Sequence, residues 1–330
     1  MKTVRVHEYG GPEVLRLEDL PDPAPGPGEV RVRAEAIGVG VPDMLMRSGN
    51  YNWIPPFPFA PGNELAGTVD AVGAGVTRFK AGDRVFVSAR ELPQRGGGYS
   101  EAVVVPAEAP FAMPAGVSPE QAVTLGNYQL GWLLLNYAAK PQAGQTVLVH
   151  AAAGGAGSAV VQLAKRQGLT VFGIAGGADK VRYVGELGAD AVIDRTRDDI
   201  GARIAELTGG TGVEFIYDSV GGPNFNKDFG MLAAMGMVVQ FGYIGGPPEG
   251  DVYKAMRAVF GNSVALRLFS IHVLDDRPDI RRHAMEQAMA ALAAGEIAPR
   301  IHASLKLADA AEAHRLLETG GVTGKVVLVP

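Results

Sequence analysis

The fold of this chain is decided by Thr146-Val147-Leu148-Val149-His150-Ala151-Ala152-Ala153-Gly154-Gly155-Ala156-Gly157 and the residues that follow it up to Gly168. The stretch opens with a short apolar run rich in β-branched side chains. It continues through a glycine-rich turn and ends in an amphipathic segment that a glycine closes. This order predicts a strand, a tight turn and a helix.

The turn has the spacing of a dinucleotide fingerprint, with alanine at the first glycine position. Its candidate cofactor-binding residues are Ala152, Gly154, Gly155, Ala156 and Gly157. Gly154 would let backbone N–H groups approach a pyrophosphate at the helix N-terminus, and Gly157 would let the helix pack close against the strand. A plain structural turn would use the same glycines, but the flanking strand and helix favour nucleotide binding. No Gly-Lys-Ser/Thr sequence follows, so a P-loop is excluded.

The composition narrows the range of functions. The 330 residues are enough for two domains, and a net charge of −5 provides no broad basic surface for duplex nucleic acid or an acidic membrane. No apolar stretch is long enough to span a bilayer and the first residues do not resemble a signal peptide, so we expect a cytoplasmic protein. The chain has no cysteine, which excludes disulfides, thiolate nucleophiles and cysteine-based zinc sites.

Residues 1 to about 120 are predicted to be all-β. Apolar and polar residues alternate at Val4 and Val6 and again from Val30 to Ala36, which is the period of half-buried strands. The stretch 21–28, rich in proline and glycine, is predicted to be a loop. Further strands are predicted at residues 65–72, 84–87 and 99–105.

From about Ser118 onwards, helical segments alternate with short apolar runs. Such alternation predicts a doubly wound parallel sheet, and therefore an α/β fold. The predicted strands are residues 146–150, 170–174, 191–194, 214–218, 237–241 and 264–269. A helix over 279–294, a strand over 301–305, a helix over 308–318 and a strand over 325–329 complete the chain.

Several short motifs follow one another along the chain together with the fingerprint: Arg47-Ser48-Gly49-x-Tyr51, Pro61-Gly62-x-Glu64, Gly82-Asp83-Arg84-Val85, Leu187-Gly188-Ala189-Asp190, Tyr217-Asp218-Ser219-Val220-Gly221-Gly222, Phe241-Gly242 and Thr323-Gly324-Lys325-Val326-Val327-Leu328. In this order and spacing the chain resembles the medium-chain dehydrogenase/reductase superfamily, and within it the zinc-free quinone oxidoreductase branch of zeta-crystallin-like proteins. The resemblance implies a GroES-like substrate domain (residues 1–120 and 296–330), a Rossmann domain (residues 121–295), a substrate cleft between them, and a homodimer.

Zinc-dependent relatives in this superfamily place cysteine and histidine ligands in the first domain. The matching stretches here read Gly38-Val39-Gly40-Val41-Pro42-Asp43 and Pro61-Gly62-Asn63-Glu64, with Asn63 at the histidine position. Carboxylates such as Asp43 and Glu64, without thiolate or imidazole beside them, are poor ligands for zinc. We therefore expect no metal, and we expect Glu64 to hydrogen-bond nearby backbone.

The second strand of the predicted parallel sheet bears on the choice of nicotinamide cofactor. In NAD-binding domains this strand usually ends in an acid, but here it continues into Gly176 and no acid is present at its end. Lys180 falls in the first turn of the next helix, where a cation is unfavourable unless an anion is bound nearby. By resemblance, Lys180 and Arg195 match positions that contact a 2′-phosphate, which favours NADPH. The alternative is that both are solvated charges and that Asp179 binds the ribose.

The ends of the later strands supply the remaining candidate cofactor contacts. Two strands end in Ser219-Val220 and Phe241-Gly242-Tyr243, which should face the crevice at the carboxyl edge of the sheet. Structural turns would explain the glycines there equally well. The last candidates are Phe269, Ser270 and Lys325.

Reduction of a quinone or an α,β-unsaturated carbonyl (an enone) places negative charge on oxygen, which needs a hydrogen-bond donor and then a proton. The candidates for this role are Tyr51, Tyr128, Asn127 and Tyr243. A tyrosine donates a hydrogen bond while neutral, although a single tyrosine is more often a packed aromatic.

Two departures from the branch weaken the catalytic assignment. Gly40 stands where an asparagine is frequent and Leu130 where a threonine is frequent, which predicts a roomier and more apolar pocket. Residues 53–57 would add either a hydrophobic wall or core. His150 is expected to be a fixed structural histidine rather than a base.

The leading hypothesis is a metal-free, NADPH-dependent reductase of small-molecule quinones or enones. A second hypothesis is an NADPH-binding protein with little catalysis, in a structural or RNA-binding role, because some members of the branch serve in this way. A zinc-dependent alcohol dehydrogenase is the third and is disfavoured.

Overall fold

The computed structural model describes the whole chain from Met1 to Pro330 and divides it into two compact units. The first unit comprises Met1–Gly126 and Met289–Pro330, and the second comprises Asn127–Ala288. The domain boundaries predicted at residues 120 and 296 stay a prediction. No helix combines the length and the apolar character needed to cross a bilayer.

The chain forms fifteen strands and nine α-helices. The strands are β1 (Lys2–Val6), β2 (Leu15–Asp19), β3 (Glu29–Val39), β4 (Glu64–Val72), β5 (Arg84–Ser88), β6 (Ala102–Pro106), β7 (Phe111–Ala112), β8 (Thr146–Val149), β9 (Thr170–Ala175), β10 (Ala191–Asp194), β11 (Val213–Asp218), β12 (Leu232–Gln240), β13 (Ala265–Leu268), β14 (Ile301–Lys306) and β15 (Lys325–Val329). The helices are α1 (Val41–Ser48), α2 (Pro119–Ala122), α3 (Leu125–Leu133), α4 (Gly155–Arg166), α5 (Ala178–Glu186), α6 (Ile200–Leu207), α7 (Val252–Ala258), α8 (Pro278–Ala293) and α9 (Ala310–Glu318).

A six-stranded parallel sheet forms the centre of the second unit, in the order β10-β9-β8-β11-β12-β13. In the middle strand, Leu148 pairs with Phe172 of β9 and with Ile216 of β11, and the three side chains share one buried apolar core. The chain adds strands first on one side of β8 and then on the other. This creates the switch point at which such sheets bind ligands, and it confirms the predicted doubly wound fold.

The strands of the first unit pair antiparallel, except for β14 and β15, which pair parallel to each other. Its main sheet has the order β14-β15-β3-β4-β5-β7, with β6 also paired to β3, while β1 and β2 form a separate pair. In the last strand, Leu328 lies opposite Ile37 of β3, and both side chains are fully buried. The C-terminal segment is therefore part of the core of this β unit.

The prediction that residues 1 to about 120 are all-β is wrong at helix α1. The carboxylate of Asp43 in its first turn accepts a hydrogen bond from the N–H of Gly40 at 2.8 Å, and Pro42 suits the first turn of a helix. Gly49, in a left-handed conformation with φ of 81°, ends the helix. A helix of eight residues is too short to show a clear period in the sequence.

Two predicted strands have different bounds in the structure. The strand predicted over residues 99–105 begins only at Ala102, because the N–H of Tyr99 bonds to the carbonyl of Pro61 at 2.9 Å. The strand predicted over residues 237–241 begins earlier, at Leu232. Its first part pairs irregularly with β11, and Met235 has a left-handed φ of 64°.

The glycine-rich turn after β8 brings α4 close to the strand. Ala151 has a left-handed φ of 47°, and its carbonyl oxygen accepts a hydrogen bond from the N–H of Gly154 at 2.9 Å. A Cβ atom on Gly157 would lie 2.2 Å from the same oxygen. Only glycine fits this close approach of helix to turn.

We expect Gly157→Ala to lower the free energy of unfolding by about 1–3 kcal/mol, because the added carbon overlaps the Ala151 carbonyl. Gly185→Ala in α5 is the matched control, since nothing lies within 4 Å of its added Cβ. It should raise the free energy of unfolding by about 0.5–1 kcal/mol. Urea denaturation measures both, and a change of the same sign in the two variants would contradict the close packing.

Candidate nucleotide site and active site

The carboxyl ends of the six parallel strands meet at one edge of the second unit. The predicted cofactor residues of this unit follow those ends: the fingerprint after β8, Gly176 after β9, Arg195 after β10, Ser219 and Val220 after β11, Phe241, Gly242 and Tyr243 after β12, and Phe269 and Ser270 after β13. Lys180 lies in the first turn of α5, as predicted. Tyr51 and Lys325 belong to the first unit.

The N-terminus of α4 fits a phosphate group. No side chain caps this helix, and its first turn carries no acid. Ser158 is the first of its residues whose N–H bonds back to the turn, to the carbonyl of Gly154 at 2.9 Å. The N–H groups of Gly155, Ala156 and Gly157 are therefore left as donors at the positive end of the helix dipole.

Asn127 lies against this helix N-terminus. A Cβ atom on Gly155 would come within 2.4 Å of the amide nitrogen of Asn127. Gly155 leaves room for the carboxamide of Asn127. A candidate catalytic residue therefore packs directly against the fingerprint turn.

Two cations converge at the ends of β9 and β10. A Cβ atom on Gly176 would lie only 3.0 Å from Nε of Arg195, so the guanidinium lies over this glycine. Burial, and then the charge of Arg195, lower the pKa of Lys180 below its usual range. Asp179 is paired with Arg182 at 2.5 Å in an exposed salt bridge on α5.

Asp194, at the end of β10, holds the turn that carries these cations. Its Oδ1 accepts hydrogen bonds from the N–H groups of Gly177 at 2.9 Å and Thr196 at 3.0 Å. These bonds, the one from Gly177 first, lower the pKa of Asp194 to about 2. The sequence reading missed this role, although an acid that ends a strand and is followed by Arg195-Thr196 is a turn signal.

The turns after β11 and β12 lie against each other. Asp218 accepts hydrogen bonds from the N–H groups of Val220 at 2.6 Å and Gly221 at 3.0 Å. A Cβ atom on Gly242 would lie 2.6 Å from the carbonyl oxygen of Ser219, so this glycine is required by packing. The structure brings these predicted residues together, and Tyr243 beside them is 68% exposed.

The candidate tyrosines occupy different environments. Tyr128 is 2% exposed, and its hydroxyl accepts a hydrogen bond from Nε2 of Gln162 at 2.7 Å. Burial raises the pKa of Tyr128 well above its usual value. Tyr51 is half-buried and contacts the edge of Trp53, with the ring centroids 5.3 Å apart.

A charged cluster fills the region where the zinc-dependent relatives would hold metal. Lys325 forms a salt bridge with Glu64, and both side chains are largely buried. Oδ1 of Asp43 accepts hydrogen bonds from the N–H of Gly62 at 3.1 Å and from Nδ2 of Asn63 at 2.7 Å. The expectation that Glu64 bonds to backbone is wrong, because the ammonium of Lys325 takes its carboxylate.

The donor set of this cluster does not fit zinc. Both oxygens of Asp43 already accept N–H groups, Glu64 is paired with an ammonium, and Asn63 offers only a carboxamide. No group of three or more histidine, cysteine, aspartate or glutamate side chains is placed to hold a metal ion.

Comparison with known proteins identifies the family. Residues 26–115 match the family of alcohol dehydrogenase GroES-like domains, and residues 155–294 match that of the zinc-binding dehydrogenases. The quinone oxidoreductase of Pseudomonas aeruginosa is 36% identical over 330 residues, covering 100% of this chain and 99% of the relative. The chain belongs to the quinone oxidoreductase branch of the medium-chain dehydrogenase/reductase superfamily.

Solved structures from this branch share the whole fold. Escherichia coli quinone oxidoreductase, solved in complex with NADPH, gives a TM-score of 0.89 at 31% identity and covers both chains fully. The Pseudomonas syringae quinone oxidoreductase gives 0.90 at 34% identity, covering 100% of this chain and 99% of the other. The expected combination of a GroES-like β domain with a Rossmann domain is confirmed.

In this oxidoreductase, the buried carboxyl of Asp43 should make stability depend on pH. Burial, and then the charge of Glu64, raise its pKa to about 6 from 3.8. When the pKa of an acid is higher in the folded state, the folded protein holds the proton more tightly than the unfolded chain does. The free energy of unfolding therefore falls as the pH rises, because deprotonation favours the unfolded chain. Asp43 should therefore contribute about 2 kcal/mol less at pH 7 than at pH 4.

Asp43→Asn provides the reference without a titrating group. The unfolding free energy of the wild type minus that of the variant, from urea curves at pH 4, 5, 6 and 7, should shrink as the pH rises. A difference that grows with pH would mean that the N–H donors of Gly40 and Gly62 outweigh burial.

Proposed function

We propose that this oxidoreductase is NADPH-dependent and transfers hydride to a quinone or an enone without zinc. The observation that carries the choice of cofactor is the convergence of Lys180 and Arg195 at the ends of β9 and β10. Two neighbouring positive charges beside the carboxyl edge of the sheet attract an anion, and a 2′-phosphate is such an anion.

The alternative ribose ligand is less suitable. Asp179 forms an exposed salt bridge with Arg182, and it lies in α5 rather than at the end of β9. Asp194 already accepts hydrogen bonds from the N–H of Gly177, in the turn after β9, and from that of Thr196, in its own turn. Neither acid is placed to accept hydrogen bonds from ribose hydroxyls at the end of β9, and this supports NADPH over NADH.

The groups that would hold the cofactor are the N–H donors of α4 for the pyrophosphate and the two cations for the 2′-phosphate. The chemistry supplied by bound NADPH is the donation of a hydride from its nicotinamide ring. The protein's own task is to stabilise the negative charge that forms on the acceptor oxygen and to return a proton to it.

Tyr51 is the donor that we favour for this task. Its ring is half-buried against Trp53, and a tyrosine hydroxyl can donate a hydrogen bond while neutral. Tyr128 is buried with its hydroxyl engaged by Gln162, which suits a packing role. Asn127 would help to orient the ligand at the fingerprint, and Tyr243 stays a second candidate donor.

Removal of one cation should separate the two nicotinamide cofactors. We expect Lys180→Met to weaken NADP⁺ binding about ten- to a hundredfold while NAD⁺ binding changes less than twofold, because only NADP⁺ carries the 2′-phosphate. Lys254→Met, at an exposed cation of α7, is the control and should change neither affinity. Isothermal titration calorimetry measures both, and equal weakening of the two ligands would contradict the 2′-phosphate assignment.

Steady-state reduction of a quinone and of an enone with NADPH tests the reaction itself. Tyr51→Phe should lower kcat by about a hundredfold and leave the dissociation constant of NADPH within twofold, since the lost hydroxyl acts on the acceptor. The control is Tyr9→Phe, which removes an exposed hydroxyl from the same unit and should change neither kcat nor the dissociation constant of NADPH. Tight NADPH binding by the wild type without turnover of either class would favour the binding-protein hypothesis.

We also propose that the protein is a homodimer formed through β13. This strand pairs only with β12, so its other edge has unpaired backbone groups that an identical strand can meet about a two-fold axis. Leu268 on the strand is 72% exposed, and Phe260 shortly before it is 82% exposed. Exposed apolar groups beside an open sheet edge are typical of an interface.

Substitution at this edge should shift the oligomeric state. We expect Leu268→Lys to raise the dimer dissociation constant at least tenfold in sedimentation equilibrium, because the charge would be buried at the interface. Leu17→Lys, at an exposed leucine of β2, should leave it unchanged. A wild type that sediments as a monomer at all concentrations would refute the dimer.

A further inference from the structure

A histidine and two buried acids lie together at the switch point of the parallel sheet, and the proposed reaction does not use them. His150 directly follows β8, and its backbone N–H bonds to the carbonyl of Tyr217 in β11 at 3.0 Å. Asp218 ends β11, and Asp228 lies in the 3₁₀ segment Phe225–Met231 that precedes β12. The three groups therefore sit where β8 and β11 end side by side.

Asp228 fixes the imidazole of His150. Nε2 of His150 lies 3.1 Å from Oδ1 of Asp228, whose side chain is almost completely buried and whose Oδ2 has no partner. The ring keeps 17% of its side-chain surface exposed, and its Nδ1 makes no hydrogen bond within the chain. A buried carboxylate that holds one ring nitrogen leaves the other oriented for a ligand.

The charges around the ring determine what kind of ligand group it can take. Burial alone would lower the pKa of His150, but the carboxylates of Asp228 and Asp218 raise it above its usual value. Burial raises the pKa of Asp218, whose oxygens accept N–H groups of the following turn. Two carboxylates beside one imidazole would repel a phosphate, whereas a neutral hydroxyl is not repelled.

The strand order indicates which hydroxyl is available. The cations Lys180 and Arg195 lie on the β9 and β10 side of β8, and the N–H donors of α4 follow β8 itself. A dinucleotide with its 2′-phosphate at those cations and its pyrophosphate at α4 continues toward β11. The ribose beyond the pyrophosphate is then the first uncharged group to reach His150.

We propose that Nδ1 of His150 hydrogen-bonds a hydroxyl of the nicotinamide-side ribose and that Asp228 is the positioning residue for the imidazole. With its Nε2 hydrogen donated to Asp228, the neutral ring accepts the ribose O–H at Nδ1, and the protonated ring donates to the same oxygen. The inference rests on the proposed function, because it takes the dinucleotide to lie along this edge.

Two amide substitutions at His150 test the roles of its two ring nitrogens separately. His150→Gln can place an amide nitrogen near Nε2, where it still meets Asp228, but offers nothing at Nδ1. His150→Asn can place an amide nitrogen near Nδ1. The probes are NADP⁺ and 2′-phospho-ADP, which lacks the nicotinamide-side ribose, and calorimetry gives each dissociation constant, with thermal melting as the check on folding.

We expect His150→Gln to weaken NADP⁺ binding about three- to tenfold and to leave 2′-phospho-ADP binding within twofold, with His150→Asn recovering most of the loss. Unchanged NADP⁺ affinity in His150→Gln, or equal weakening of both probes, would overturn the inference. A failure of the proposed cofactor shows separately, as tighter binding of NAD⁺ than of NADP⁺ by the wild type. The pair NAD⁺ and ADP then replaces the two probes.

Discussion

The site depends on the way the chain turns from β8 into α4. Ala151 adopts a left-handed conformation that costs an alanine about 1–3 kcal/mol, and its carbonyl oxygen then lies against Gly157 and accepts the N–H of Gly154. The turn is held on its other side by the N–H of Ala152, which bonds to the carbonyl of Ile174 in β9. This geometry packs the helix tightly and leaves its first N–H groups open. The local strain is tolerated because β8 is buried in the middle of the sheet.

The carboxyl edge of the parallel sheet carries different charges on its two sides. On the β9 and β10 side it carries Lys180 and Arg195, whereas at β8 and β11 it carries His150 with Asp218 and Asp228. A dinucleotide is charged at its phosphates and neutral at its riboses, so a ligand lying along the edge would meet cations and N–H donors at one end and a hydroxyl-binding group at the other. Acids at strand ends, such as Asp194 and Asp218, hold the neighbouring turns by accepting backbone hydrogen bonds.

Features carried by local pattern could be predicted from the sequence. The six strands of the parallel sheet and the place of Lys180 in the first turn of α5 depend on neighbouring residues, and all are found near their predicted positions, although β12 begins earlier than predicted. Helix α1 was missed because it is only eight residues long. Contacts between distant residues leave no local signal: His150 and Asp228 are 78 positions apart, and Glu64 and Lys325 are 261 apart. The burial of Tyr128 likewise follows from packing that periodicity does not show.

The Glu64–Lys325 salt bridge bears on which acceptors the protein can reduce. A metal ion stabilises a localised alkoxide by direct coordination, whereas a neutral tyrosine contributes only a hydrogen bond. The ammonium of Lys325 is paired with a buried carboxylate, so it is not available to stabilise such an alkoxide in place of a metal. An acceptor that spreads the arriving charge over a conjugated system needs less help at its oxygen than a simple ketone does. Quinones and enones are such acceptors, and the donor set of the first unit therefore matches the substrates that we propose.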